Sequence, residues 1–109
     1  RERAIRIFEE HGIEVHECAI WGPPELFSLL VADPTAESEA DFQRARTASD
    51  AALQLAQDLG GNMEHVHGVG LRLAHLLERE LGPGGMAVAR RLRSALDPGG
   101  IMNPGKLYR

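Results

Sequence analysis

Two histidines lie two residues apart in a glycine-framed stretch, Gly60-Gly61-Asn62-Met63-Glu64-His65-Val66-His67-Gly68-Val69-Gly70. Imidazole is the side chain whose charge changes most readily near neutral pH, so His65 or His67 could serve as a base, a hydrogen-bond donor or a metal ligand. Gly68 and Gly70 would let backbone approach a ligand closely. They also precede a stretch from Leu71 that reads as a helix, whose N-terminus would favour an anion. Glu64 could act as a base or metal ligand beside His65, although an exposed loop carboxylate is the commoner outcome. On the string alone, a structural histidine hydrogen-bonded within its own loop is at least as common as a catalytic one. The other histidines say less: His11 falls at a helix end, His75 one turn into the next helix in a structural position, and His16 on a strand. Cys18 and Trp21 read as core residues.

Several chemistries are absent from the pattern. No serine sits in a Gly-x-Ser-x-Gly elbow. No Gly-x-Gly-x-x-Gly follows a strand, and no Gly-Lys-Ser/Thr phosphate loop is present. A self-contained nucleotide enzyme is therefore disfavoured. The single cysteine excludes a disulfide framework and a multi-cysteine zinc site.

The elements that must position these residues fit one domain. The chain has 109 residues, 43% hydrophobic and 26% charged, with aromatics at only 5%. A thin core of Leu, Ile, Val and Ala is expected, burying roughly 65% of the extended chain's surface. The net charge of −4 argues against nucleic acid, whose binding rests on phosphate neutralisation. Charge is uneven: five Arg oppose twelve carboxylates through Gly60, and seven basic residues oppose four carboxylates beyond it. No run of 18 apolar residues could span a membrane. With no signal-like opening, the expectation is a cytoplasmic protein, and the Arg1-Glu2-Arg3 start suggests a piece of a longer one.

Along the chain, residues 2–11 read as a helix stopped by Gly12. Ile13 to Trp21 and Leu26 to Val31 read as strands that form an antiparallel pair around Gly22-Pro23-Pro24. A long helix is expected from Ala36 to Leu59, capped by Thr35. Its stripe of Phe42, Ala45, Ala52, Leu55, Ala56 and Leu59 would lie on the sheet. Leu71–Leu81 and Met86–Leu96 read as two shorter helices separated by Gly82-Pro83-Gly84-Gly85. The tail holds two Pro-Gly pairs, each predicting a turn with positive φ at Gly99 and at Gly105. Between them Ile101 and Met102 are apolar and need a surface to dock on. The fold class expected is α+β: antiparallel strands covered by a long helix, then two shorter helices and a turn-rich tail.

Two segments together resemble one family. Gly60–Gly70 is similar to the Gly-Gly…His-Gly-Ile/Val-Gly motif of FAD-linked oxidases. Leu96-Asp97-Pro98-Gly99-Gly100-Ile101-Met102-Asn103-Pro104-Gly105-Lys106 is very similar to that family's terminal Leu-Asp-Pro-x-Gly-Ile-Met/Leu-Asn-Pro-Gly-Lys. The family includes the glycolate oxidase flavin subunit, D-lactate and D-2-hydroxyglutarate dehydrogenases and alkylglycerone-phosphate synthase. The resemblance covers residues 60–109 closely, and residues 1–59 as the strands and long helix of the family's substrate-binding cap.

The resemblance implies that residues 1–109 are the C-terminal cap of a larger two-domain flavoprotein whose N-terminal FAD-binding domain is a partner outside this chain. It implies FAD as cofactor and oxidation of a 2-hydroxy acid or related alcohol by hydride transfer to the flavin. His67 would be the catalytic group; His65, His67 and Arg72 would bind substrate; Asn103 and Lys106 would touch the cofactor. Val66 stands where the 2-hydroxy-acid members carry a metal-binding Glu, and no histidine lies in the stretch upstream where further ligands would be expected, so no metal is assigned. Alone, the chain is expected to be inactive. Two other readings stay open from the residues themselves: a non-catalytic α+β interaction module, and a small metal-binding module built on His65, His67 and Glu64.

Overall fold

The computed structural model describes residues 1–21, 26–32, 37–64 and 67–106, with backbone alone for 17–21 and 26–32. They form two compact units, Arg1–Gly60 and Gly61–Arg109.

In the first unit, α1 (Glu2–Glu10) buries Ala4 and Phe8. It ends where three amides turn back. The His11 and Ile13 N–H groups both donate to the Phe8 carbonyl, and the Gly12 N–H donates to the Glu9 carbonyl. His11 adds an Nδ1 bond of 2.7 Å to the Ile7 carbonyl, satisfying a carbonyl the helix leaves unpaired. The chain passes through Ile13 into β1 (Glu14–Trp21), which pairs antiparallel with β2 (Leu26–Ala32) from Glu14↔Ala32 to Trp21↔Leu26. The register slips between Val15 and Glu17.

The long helix α2 spans Glu39–Asp58 and begins three residues later than expected. Its cap is Ser38, not Thr35. Ser38 Oγ accepts the Asp41 N–H at 3.2 Å, and Asp41 Oδ2 accepts the Ser38 N–H at 3.1 Å. This reciprocal pair satisfies two amides at once, which a lone threonine hydroxyl would not. Among the described side chains, α2 packs on α1 and on the entry to β1. Its Ala48 is fully buried against Phe8 of α1 and Ile13, with Ala45, Ala52, Ile7 and Val15 around them. Small residues at 45, 48 and 52 share one helix face and let α2 approach α1 closely. Phe42 lies about 120° around the helix from Ala48 and is exposed, as is Leu59 beyond the helix end. Burying Phe8 stabilises the unit by roughly 1.5–3 kcal/mol.

The second unit corrects the expectation of two simple helices. The first begins as a single turn, α3 (Gly70–Leu73), and passes into a 3₁₀ turn at Ala74–Leu76. With so short a first helix, the anion site expected at its N-terminus loses its basis, since a macrodipole needs aligned peptides over several turns. The last helix, α4, spans Leu77–Leu96 but breaks at Gly82, whose φ of 67° and ψ of 171° are not helical. Pro83 restarts the helix, its fixed φ and missing N–H suiting a first helical position. Met63, Leu73, Leu76, Leu77 and Met86 are buried, while Val88, Leu92 and Leu96 form an exposed stripe at four-residue spacing.

Two stability tests follow from these geometries. The Ser38 hydroxyl, donating at 2.6 Å, and then the Ser38 and Glu37 amides hold the Asp41 carboxyl down from 3.8 to about 2. A pKa depressed on folding gives stability that is complete above the unfolded value and lost as pH falls through the folded one. Asp41→Ala should therefore lower Tm near neutral pH, with the gap closing between about pH 4 and pH 2; a gap still full at pH 2 contradicts the assignment. Gly82 occupies a region open essentially to glycine alone. Gly82→Ala should cost about 1–3 kcal/mol in denaturant unfolding, whereas Gly84→Ala, with open space at its Cβ, should be neutral or gain up to about 1 kcal/mol. Equal effects would show that Gly82 is not a constrained break.

Candidate functional site

The loop between Gly61 and α3 is tied to the helical body of its unit by the Met63 N–H, which donates to Glu80 Oε2 of α4 at 2.9 Å. Met63 is itself buried, so the loop starts from a fixed point. Glu64 follows at once. One of its oxygens, Oε1, meets two groups of His67: the backbone N–H at 3.3 Å and ring Nδ1 at 3.2 Å. The His67 side chain is 83% exposed and that of Glu64 23%. The loop thus presents an imidazole to its surroundings while a half-buried carboxylate holds it from behind.

The remaining candidates are dispersed. His65 and Val66 lie outside the described residues. Arg72 is exposed on α3, with no polar partner among the described residues. His75 lies on the 3₁₀ turn and is exposed instead of half-buried. His16 is exposed and lies 3.9 Å from Glu14. The side chains of Cys18 and Trp21 lie outside the described set. Among the described residues, no three His, Cys, Asp or Glu side chains gather as metal ligands.

The tail is built by one acidic residue. Asp97, which ends α4, accepts the Ile101 N–H on Oδ1 at 2.9 Å and the Met102 N–H on Oδ2 at 3.0 Å. Its carbonyl accepts the Gly100 N–H across Pro98-Gly99. In that turn the positive φ falls on Gly100 and not on Gly99, as a type I turn followed by glycine requires. Asn103-Pro104-Gly105-Lys106 does take the expected form, with the Lys106 N–H reaching the Asn103 carbonyl and positive φ at Gly105. Arg93 Nη1 donates to the Lys106 carbonyl at 2.9 Å, clamping the tail onto α4. With their amides turned inward, Ile101 and Met102 stand 82% and 65% exposed.

The described parts of both motifs therefore present side chains outward: His67 from the loop, and Ile101 and Met102 from the tail. A family model described as FAD linked oxidases, C-terminal domain, matches residues 3–107. The chain belongs to that family. Among similar proteins of the FAD-linked oxidases, a probable mitochondrial D-lactate dehydrogenase of Danio rerio is 34% identical over 79% of this chain and 17% of its own length. The glycolate oxidase subunit GlcD of Bacillus subtilis is 35% identical over 62% of the chain and 14% of its own length. Alkyldihydroxyacetonephosphate synthase of Trypanosoma brucei brucei is 38% identical over 51% of the chain and 9% of its own length. The chain thus spans less than a fifth of each of these relatives. No helix among the described residues is long and apolar enough to cross a membrane.

Sequence reasoning did not assign Glu64, Glu80 or Asp97 these partners. Glu64-x-x-His67 carries a local signal, since residues three apart can meet when the chain curls; the Glu80 contact, seventeen residues away, carries none. Asp97→Ala should release the Ile101 and Met102 amides and speed their hydrogen exchange by tenfold or more, whereas Asp97→Asn, which keeps an acceptor, should slow them relative to Ala. Unchanged exchange in Asp97→Ala would remove Asp97 as the organiser of the tail.

Proposed function

We propose that this chain is the cap of an FAD-dependent oxidoreductase that oxidises a 2-hydroxy acid or a related alcohol, with His67 as the group that takes the hydroxyl proton. The observation that carries the reading is the outward-facing His67 imidazole, in the glycine loop of a chain matched to FAD-linked oxidases over residues 3–107. The similar proteins named for D-lactate, glycolate and D-2-hydroxyglutarate support a 2-hydroxy-acid substrate class.

The donor set suits the edge of a flavin site, with the main cradle supplied by a separate N-terminal domain. Asn103 is exposed, and the Lys106 ammonium has no partner among the described residues; these two would touch the cofactor. Ile101 and Met102 stand out as an apolar surface for the flavin domain to cover. When bound, FAD supplies the hydride acceptor. The chain's own residues would handle the rest. Arg72, an exposed guanidinium soon after the loop, would pair with the substrate carboxylate as a bidentate donor. His67 would accept the proton from the hydroxyl oxygen, so that the carbon–oxygen bond becomes a carbonyl as hydride departs. His65 would be a second substrate-binding group.

In the full-length flavoprotein, His67→Ala should lower the rate of flavin reduction by roughly 10²–10⁴. The measurement is anaerobic stopped-flow bleaching of flavin absorbance with glycolate, D-lactate and D-2-hydroxyglutarate. A substrate that bleaches the flavin equally fast in the variant would exclude His67 as the proton acceptor.

A further inference from the structure

We infer that Glu64 is the positioning residue for His67: it holds the imidazole in the tautomer with the proton on Nδ1, leaving the Nε2 lone pair to meet the substrate. This rests on the reading of His67 as proton acceptor and adds the group that makes it one.

An ionised carboxylate is acceptor-only. For Nδ1 and Glu64 Oε1 to be bonded at 3.2 Å, the proton must sit on Nδ1. In the neutral ring, Nε2 then carries the lone pair, and among the described residues it has no hydrogen-bond partner. A solvent-exposed histidine with no such partner favours the opposite tautomer, with the proton on Nε2, which offers the substrate a donor where a base is needed. The carboxylate therefore decides what the outward nitrogen can do.

The ring's orientation is fixed by the same atom. Because Oε1 also accepts the His67 backbone N–H at 3.3 Å, two donors of one residue converge on one oxygen, which restricts rotation of the side chain as well as the choice of tautomer. Glu64 can hold this position because the residue before it is buried and tethered to Glu80. Once Nε2 takes a proton, the ring is cationic and the contact with the carboxylate becomes an ion pair, which favours the proton-bearing state that the reaction produces. No proton needs to pass to Glu64.

The test uses the full-length protein labelled with ¹⁵N-histidine, compared in wild-type, Glu64→Ala and Glu64→Gln forms. Long-range ¹H–¹⁵N correlations, assigned through His67→Ala, report which ring nitrogen bears the proton and need no substrate. The wild type should show the proton on Nδ1, Glu64→Ala should shift it toward Nε2, and Glu64→Gln, whose amide oxygen still accepts, should keep the wild-type pattern. Flavin reduction should fall by about 10- to 10²-fold in Glu64→Ala and by less in Glu64→Gln. A wild-type ring protonated on Nε2, or a tautomer unchanged in Glu64→Ala, overturns the assignment. The functional reading fails separately, if His67→Ala reduces flavin at the wild-type rate.

Discussion

The bond from the Met63 amide to the Glu80 carboxylate carries the site. It joins a segment with no regular structure to a helix, and it fixes the point from which the glycine loop departs. Everything beyond depends on that anchor: Glu64 is half-buried next to it, and His67 is held outward by Glu64. Without the tether, the two exposed Glu64–His67 hydrogen bonds, each worth about 1 kcal/mol, would have to offset the full ordering cost of the loop. With it, a carboxylate–imidazole pair can persist where water competes for both partners.

The second unit uses carboxylates as connectors throughout. Glu80 binds an amide at the loop entrance, Glu64 binds an amide and a ring within it, and Asp97 binds two amides at the start of the tail. Each satisfies backbone donors that irregular chain would otherwise leave to solvent. The consequence is an unusual distribution of surface. These three carboxylates face the backbone, while Ile101, Met102, Val88, Leu92 and Leu96 stand exposed. The chain spans only a small part of its relatives' length, and an apolar surface of this kind suits a covering partner.

Much of this was legible in the residues, and the failures have physical causes. The Pro-Gly pair at 104–105 dictated its own turn, because proline and glycine each restrict one torsion. At 98–99 the same pair left the choice between turn types open, and Asp97, by recruiting the Ile101 and Met102 amides, goes with the type I form. The start of α2 differs from the one Thr35 suggests because Ser38-Glu39-Ala40-Asp41 carries a reciprocal cap that satisfies two amides, where a lone hydroxyl satisfies one. The helix expected from Leu71 to Leu81 was read from leucine spacing, which does not distinguish a continuous α-helix from one interrupted by a 3₁₀ turn. Its end at Gly82 was visible because the Gly-Pro pair is local chemistry. At the site, the histidine loop and the tail were recognisable as motifs. A loop carboxylate such as Glu64 more often faces solvent than a neighbouring ring, and the Glu80 contact joins residues too far apart for any pattern to reveal.

In the proposed function the His67 ring meets the substrate beside a flavin held by the rest of the protein. It is tested most directly by a crystal structure of the full-length flavoprotein with FAD and an unreactive 2-hydroxy-acid analogue bound. The account predicts His67 Nε2 at about 3 Å from the analogue's hydroxyl oxygen, with Glu64 on Nδ1. An analogue bound against the flavin with His67 turned away from it, or a flavin domain seated on another face of this chain, would contradict it.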